Sequence, residues 1–137
     1  MEWNKDLATG VAEFDKMYPV MIENVNALLR QLSASRSVTD YRRYLDAIKM
    51  EFIEMFTYQE SRMYQQKYPQ YYQHKHHHEQ FIEKLDDISD QFSSDYFGST
   101  TAAQLENVIK TWLLQHIFMY DKLWGQYTTG KRIRVRQ

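Results

Sequence analysis

Residues Tyr68–Phe81 read YPQYYQHKHHHEQF and carry four of the five histidines of the chain. His74 and His78 are four apart, a spacing that stacks two side chains on one face of a helix. The same face continues with Phe81, Leu85, Ile88 and Phe92, all apolar. The two histidines therefore open an otherwise oily stripe and point into a core. Buried imidazoles are costly unless something satisfies them, and a metal ion satisfies two at once. His76 and His77 turn away from that seam and are expected at the surface.

The remaining composition narrows the setting. A chain of 137 residues suits one domain, 1–137, with one core. Charged residues make up 26% and the net charge is -1, so there is no basic excess to recruit nucleic acid. There is no cysteine, which excludes disulfides, zinc–thiolate sites, cysteine-ligated clusters and thiol catalysis. No apolar run is long enough to span a bilayer and the N-terminus lacks signal-peptide character. The expectation is a cytoplasmic protein, or a domain cut from a longer one, with no membrane partner; no pattern specifies its oligomeric state. The strong helix breakers are only Gly10, Gly98, Gly125, Gly130, Pro19 and Pro69, which favours long helices.

Working outward from the histidine stretch, the periodicity predicts helices over about 11–34, 39–67, 70–92 and 102–124. Residues 1–10 read as an extended arm with Trp3 pinned on the bundle. Thr9 is a plausible cap for the first helix, whose stripe is Phe14, Tyr18, Met21, Val25, Leu28 and Leu32. Pro19 lies inside it and predicts a kink or a missing backbone bond. Ser37 or Thr39 caps the second helix, with the stripe Tyr41, Leu45, Ile48, Phe52, Met55, Gln59 and Met63. Pro69 ends it. Ser93–Thr101 is a loop, and the fourth helix follows with Leu105, Ile109, Trp112, His116 and Leu123 inward. Gly125–Gln137, with Lys131, Arg132, Arg134 and Arg136, reads as a frayed or docking tail. Four long helices with short connections give an all-α, up-down-up-down antiparallel bundle.

Periodicity places five polar groups at core positions: Tyr18, Gln59, His74, His78 and His116. In an antiparallel bundle, the start of the first and third helices and the end of the second and fourth share one end. All five therefore fall at comparable depth. Three imidazoles meeting there indicate a divalent transition metal. The alternative is a metal-free core in which Tyr18 and Gln59 satisfy the imidazoles by hydrogen bonds.

These residues resemble a hemerythrin-like domain of the bacterial kind. The run Trp3, Thr9-Gly10-Val11, Phe14-Asp15 resembles that family's opening. Met55-Phe56-Thr57-Tyr58-Gln59-Glu60 falls where the family has histidine, phenylalanine, two variable residues and two glutamates. Tyr68-Pro69, His74, His78 and Phe81 match its most specific segment, and Trp112 to Ile117 with Asp121 matches its last ligand helix. The resemblance implies a bundle holding two irons through five histidines and two bridging carboxylates, with oxygen bound at an open position. Carried over, His74, His78 and His116 look like the histidines of one iron and Asp121 like a bridge. Periodicity alone does not select Asp121, because five residues turn it off the His116 face of an α-helix.

The departures gather on the other iron. Its two histidines are Tyr18 and Met55 here, and the bridging glutamate is Gln59. A thioether and a neutral amide are poor ligands for hard iron, so Met55 is not expected to ligate. Three outcomes follow: one ion on His74, His78, His116 and Asp121, iron first with zinc or manganese as alternatives; a rebuilt pair of ions using Tyr18 with Glu60 or Glu51; or an apo bundle. The expected function is binding or sensing of a small diatomic ligand such as oxygen, or of redox state, at an altered iron centre, with no catalytic residue assigned. An oxygen- or peroxide-activating iron enzyme ranks behind it, since no substrate pocket is legible. A metal-free structural or interaction module is the third reading, with Met55 as a gap-filler.

Overall fold

In the computed structural model, residues 1–91 and 99–130 are described. The helices are α1 (Ala12–Ser33), α2 (Val38–Gln65), α3 (Tyr71–Gln91), α4 (Ser99–His116) and α5 (Lys122–Thr129). A π-helical turn, Ile117–Asp121, joins α4 to α5 without a break, so the last three segments are one long helix. α1 packs on α2 and α4, and α3 packs on the same two helices. This is the antiparallel four-helix bundle that the stripes require.

The inner faces agree closely with the helical period. Every predicted inward residue of α2 is buried, and Phe56 joins them. On α1 the inner face is broader, taking in Ile22 and Leu29, while Leu28 is only partly buried. A globular helix buries a wider arc than a strict seam of alternating fours and threes. α1 continues through Pro19. On α3, His74, His78, Phe81 and Leu85 are buried and Ile88 packs at the margin. Phe92, the loop expected at Ser93–Thr101 up to residue 98, and the basic tail from 131 onward lie outside the described residues.

The ends of the helices differ from expectation in instructive ways. Residues 1–10 are not simply extended, because Lys5–Leu7 form a 3-10 turn capped by the Asn4 side chain. Thr9 does not cap α1; Val11 occupies the cap position. Instead the Asp15 carboxylate reaches back and accepts from the Thr9 N–H (2.7 Å), the Thr9 hydroxyl (2.9 Å) and the Gly10 N–H (3.1 Å). An acidic side chain in the first turn thus ties down the arm. Ser37 does cap α2, accepting from the Asp40 N–H at 3.1 Å.

The fourth helix begins at Ser99 and does not end near Trp124. Gly125 is helical, and the stop is Gly130, whose φ of 68° closes the helix with its N–H on the Gln126 carbonyl. The added turn docks rather than frays. The Trp124 indole N–H donates to Gln66 Oε1 (2.8 Å), the Tyr127 hydroxyl to the Gln66 carbonyl (2.8 Å) and the Thr128 hydroxyl to Gln66 Oε1 (3.2 Å). These bonds pin the α2–α3 turn, which precedes the histidine stretch. Leu123, expected inward, is 45% exposed, whereas Trp124 is fully buried. The π turn inserts one residue into the helical period, so the inner face is advanced by one beyond it.

The α2–α3 turn is a Schellman motif. Tyr68 N–H donates to the Met63 carbonyl and Lys67 N–H to that of Tyr64, with Lys67 at φ 56°. Both Tyr68 and Met63 are buried, the apolar contact that accompanies such caps. A side chain at left-handed φ costs about 1 kcal/mol that glycine avoids. Lys67→Gly should therefore raise stability by about 0.5–1 kcal/mol. The check is a thermal melt, with an expected rise of about 2–4 °C.

Candidate metal centre

Four buried side chains meet at one end of the bundle: His74 and His78 from α3, His116 from the end of α4, and Asp121 from the π turn. One donor atom from each lies within 4.8 Å of all the others. His116 Nε2 is 3.1 Å from His74 Nε2 and 3.0 Å from His78 Nε2. Asp121 Oδ1 is 2.9 Å from His74 Nε2 and 3.0 Å from His116 Nε2. Among the described residues no other such group of histidines and carboxylates occurs.

Asp121 arrives there because of the π turn. Bonding from residue i to i+5, seen where the Lys122 N–H donates to the Ile117 carbonyl, sets residues five apart one above the other. In a regular α-helix Asp121 would face away from His116.

The protonation states suit a cation. Burial lowers the His74 pKa, against the pull of Asp121, and lowers that of His78 well below the usual range. Both imidazoles are neutral at neutral pH. Burial pushes the Asp121 carboxyl up, but the adjoining His116 and His74 imidazoles outweigh it and hold the group well below its ordinary value. His78 Nδ1 faces Glu60 Oε2 at 2.8 Å, and His116 Nδ1 faces His77 Nδ1 at 2.7 Å. Protons on those outer nitrogens leave Nε2 lone pairs converging with a carboxylate oxygen, an arrangement that can hold a positive ion at its centre. Neighbouring donors bound at right angles, with bonds of about 2.1 Å, stand about 3.0 Å apart. The side chains present therefore fit a first-row divalent ion. His74 differs from its two partners, since its Nδ1 is buried without a hydrogen bond among the described residues.

The other half of the site is filled by the chain itself. The Tyr18 hydroxyl donates to Asp121 Oδ2, and the Gln59 amide N–H donates to the Tyr18 oxygen at 3.1 Å. Tyr18 and Gln59 have no surface exposure and Met55 almost none. Burial, then the Asp121 charge and bond, push the Tyr18 pKa well above its ordinary value. The phenol is thus a donor rather than a phenolate. Neither it nor Gln59 joins the four converging atoms.

Glu60 also stands outside that group, on the far side of the His78 ring. Burial raises its carboxyl to about 7, with Lys75 lowering and Glu79 raising it. His76 is exposed as expected, but His77 is not simply a surface residue. It is half-buried, packs on Tyr120 and Trp112 and contacts His116. Its neighbour signal was present in the sequence: Trp112, His116 and Tyr120 recur every fourth residue, a single face that an aromatic partner on α3 could join.

The family model described as "Hemerythrin HHE cation binding domain" matches residues 16–127. The chain belongs to that family. A solved structure, described as crystal structures of a leucine-to-phenylalanine mutant, is similar to it with a TM-score of 0.71 and 22% identity, covering 91% of this chain and 94% of the other. That likeness concerns the fold. No curated protein matches the chain. This hemerythrin-like chain thus carries a buried histidine–aspartate cluster suited to a cation, on a bundle in which no described helix is long and apolar enough to cross a membrane.

The Tyr18 bond is open to a direct test. Tyr18→Phe leaves Asp121 Oδ2 without its donor and the Gln59 amide without its acceptor. An unsatisfied buried group costs about 1–3 kcal/mol. Urea unfolding of the metal-free variant should show a loss of at least that size, and an unchanged midpoint would mean the Tyr18–Asp121 bond adds nothing to the fold.

Proposed function

We propose that the protein holds one divalent transition metal, iron foremost, through His74, His78, His116 and Asp121, and that it binds a small diatomic ligand or responds to redox state there. The observation that carries this reading is the convergence of three imidazole Nε2 atoms and one carboxylate oxygen in a fully buried cluster. Bound there, iron would supply an electron-exchanging centre able to take a further small ligand.

The chain's own residues set the character of the centre. With three imidazole ligands and one carboxylate, a dication would keep residual positive charge, which favours an anionic or polarisable ligand. Asp121 offers one oxygen to the cluster while Tyr18 occupies the other. That second oxygen is the one a bridging carboxylate would turn to a second ion, so the Gln59–Tyr18–Asp121 chain supports a single ion. Glu60 on His78 Nδ1 strengthens that imidazole as a donor. Aromatic rings shield the cluster: Phe56 lies flat on His78 at 3.9 Å and Trp112 on His116 at 4.4 Å. Reversible oxygen carriage as peroxide draws one electron from each of two irons. A single-ion site therefore favours sensing over carriage, with zinc or manganese as alternative occupants. The enzyme reading ranks behind it, with no residue assigned to an organic substrate.

Elemental analysis of protein expressed with iron supplied, and purified without an affinity metal, should give one metal per chain. His78→Ala should abolish it and Met55→Ala should leave it nearly intact. Removal by a chelator should lower the melting temperature by about 10 °C, the scale of binding at a thousand-fold excess over Kd. Two metals per chain would mean the Tyr18 half still coordinates, and none would favour a metal-free module.

A further inference from the structure

Resting on the single-ion reading above, we propose that His77 is a positioning residue of the centre: it accepts the Nδ1 proton of His116 and holds that ring in the tautomer and plane that present Nε2 to the ion. Its neighbour His76 is exposed, and the two follow one another in the sequence with nothing in their local composition to separate them.

The geometry is that of an in-line hydrogen bond. The two Nδ1 atoms are 2.7 Å apart, the ring centroids are 4.9 Å apart and the ring planes differ by 12°. The centroid separation equals the nitrogen contact plus one ring radius on each side. Both nitrogens therefore lie on the line joining the rings, and the rings are coplanar rather than stacked. One proton fits between them. His116 Nε2 already faces two other Nε2 atoms and the Asp121 carboxylate. Ligation needs its lone pair there, so the ring proton belongs on Nδ1 and His77 Nδ1 is the acceptor. The proton of His77 then lies on its own Nε2.

The plane is fixed from both faces. Trp112 and Tyr120 stand four residues before and after His116, one on each side along the helix. Trp112 lies 4.4 Å from His116 at 11° and 5.0 Å from His77 at 21°. Tyr120 lies 4.2 Å from His77 at 12° and 5.3 Å from His116 at 11°. The imidazole pair is thus a layer between two aromatic rings. Rotation of either ring out of the layer would meet an aromatic face.

This gives the three histidines of the cluster different outer partners: a carboxylate on His78, an imidazole on His116 and none on His74. Imidazole is a weaker acceptor than carboxylate, so it orients the ring while drawing less charge onto it.

Zinc serves as the probe, being diamagnetic and a good imidazole binder. In the zinc-loaded protein, nitrogen-15 NMR should show scalar coupling between His116 Nδ1 and His77 Nδ1 across the hydrogen bond. His77→Phe keeps an aromatic ring in the layer but removes the acceptor, and should weaken zinc binding about tenfold in competition with a chelator. His77→Gln, whose side-chain oxygen accepts, should recover most of that loss. Melting of the metal-free variants should not rank them in that order. Wild-type affinity in His77→Phe, equal weakening by Phe and Gln, or absence of the coupling would each overturn the proposal while leaving the single-ion reading intact. A wild-type protein that takes no zinc, iron or manganese would overturn that reading and this inference with it.

Discussion

An ionised carboxylate buried in a helical core costs several kcal/mol unless its oxygens are bound on all sides, and Asp121 is fully buried. One oxygen takes the phenol of Tyr18; the other lies against His74 Nε2 and His116 Nε2 and is buried with no hydrogen-bond donor among the described residues. Four segments are committed by that one group: α1 through Tyr18, α2 through Gln59 behind it, α3 through His74, and α4 through His116. The π turn exists to place it, because without i+5 bonding the carboxylate would leave the His116 face. The same turn then shifts Trp124 inward, where its indole binds Gln66 and holds the turn that leads into α3. One extra residue in a helix thereby links the charge in the core to the anchoring of the histidine stretch.

The bundle was legible because its core is ordinary. The inward stripe of α2 follows helical spacing without exception, and His74, His78 and His116 sit on stripes whose other members are apolar. Antiparallel topology alone brought those three to one depth with Tyr18 and Gln59. Asp121 was different. Only the resemblance to hemerythrin-like domains named it, since periodicity assumes a constant turn and a π turn breaks that assumption. Leu123 failed for the same reason, by one residue in the same place. His77 failed for another. The angular position of a residue on its own helix says which way it points but not what stands opposite, and the Trp112–His116–Tyr120 ladder that receives it belongs to another helix.

Tyr18 and Gln59 form one hydrogen-bonded chain onto Asp121. In the Gln59–Tyr18–Asp121 chain each proton runs one way: the amide donates to the phenol oxygen, and the phenol donates to the carboxylate. A glutamate at 59 could not begin that chain, for an ionised carboxylate only accepts and would compete with Asp121 for the phenol proton. The amide is what lets Tyr18 serve Asp121, and Tyr18 is what gives the second carboxylate oxygen its proton donor. Gln59 Oε1 remains buried without a hydrogen-bond partner among the described residues. That residue of polarity costs about 1–3 kcal/mol. An apolar side chain would avoid the cost but would leave the phenol oxygen without its donor, so the amide is retained for the bond it makes on its other end.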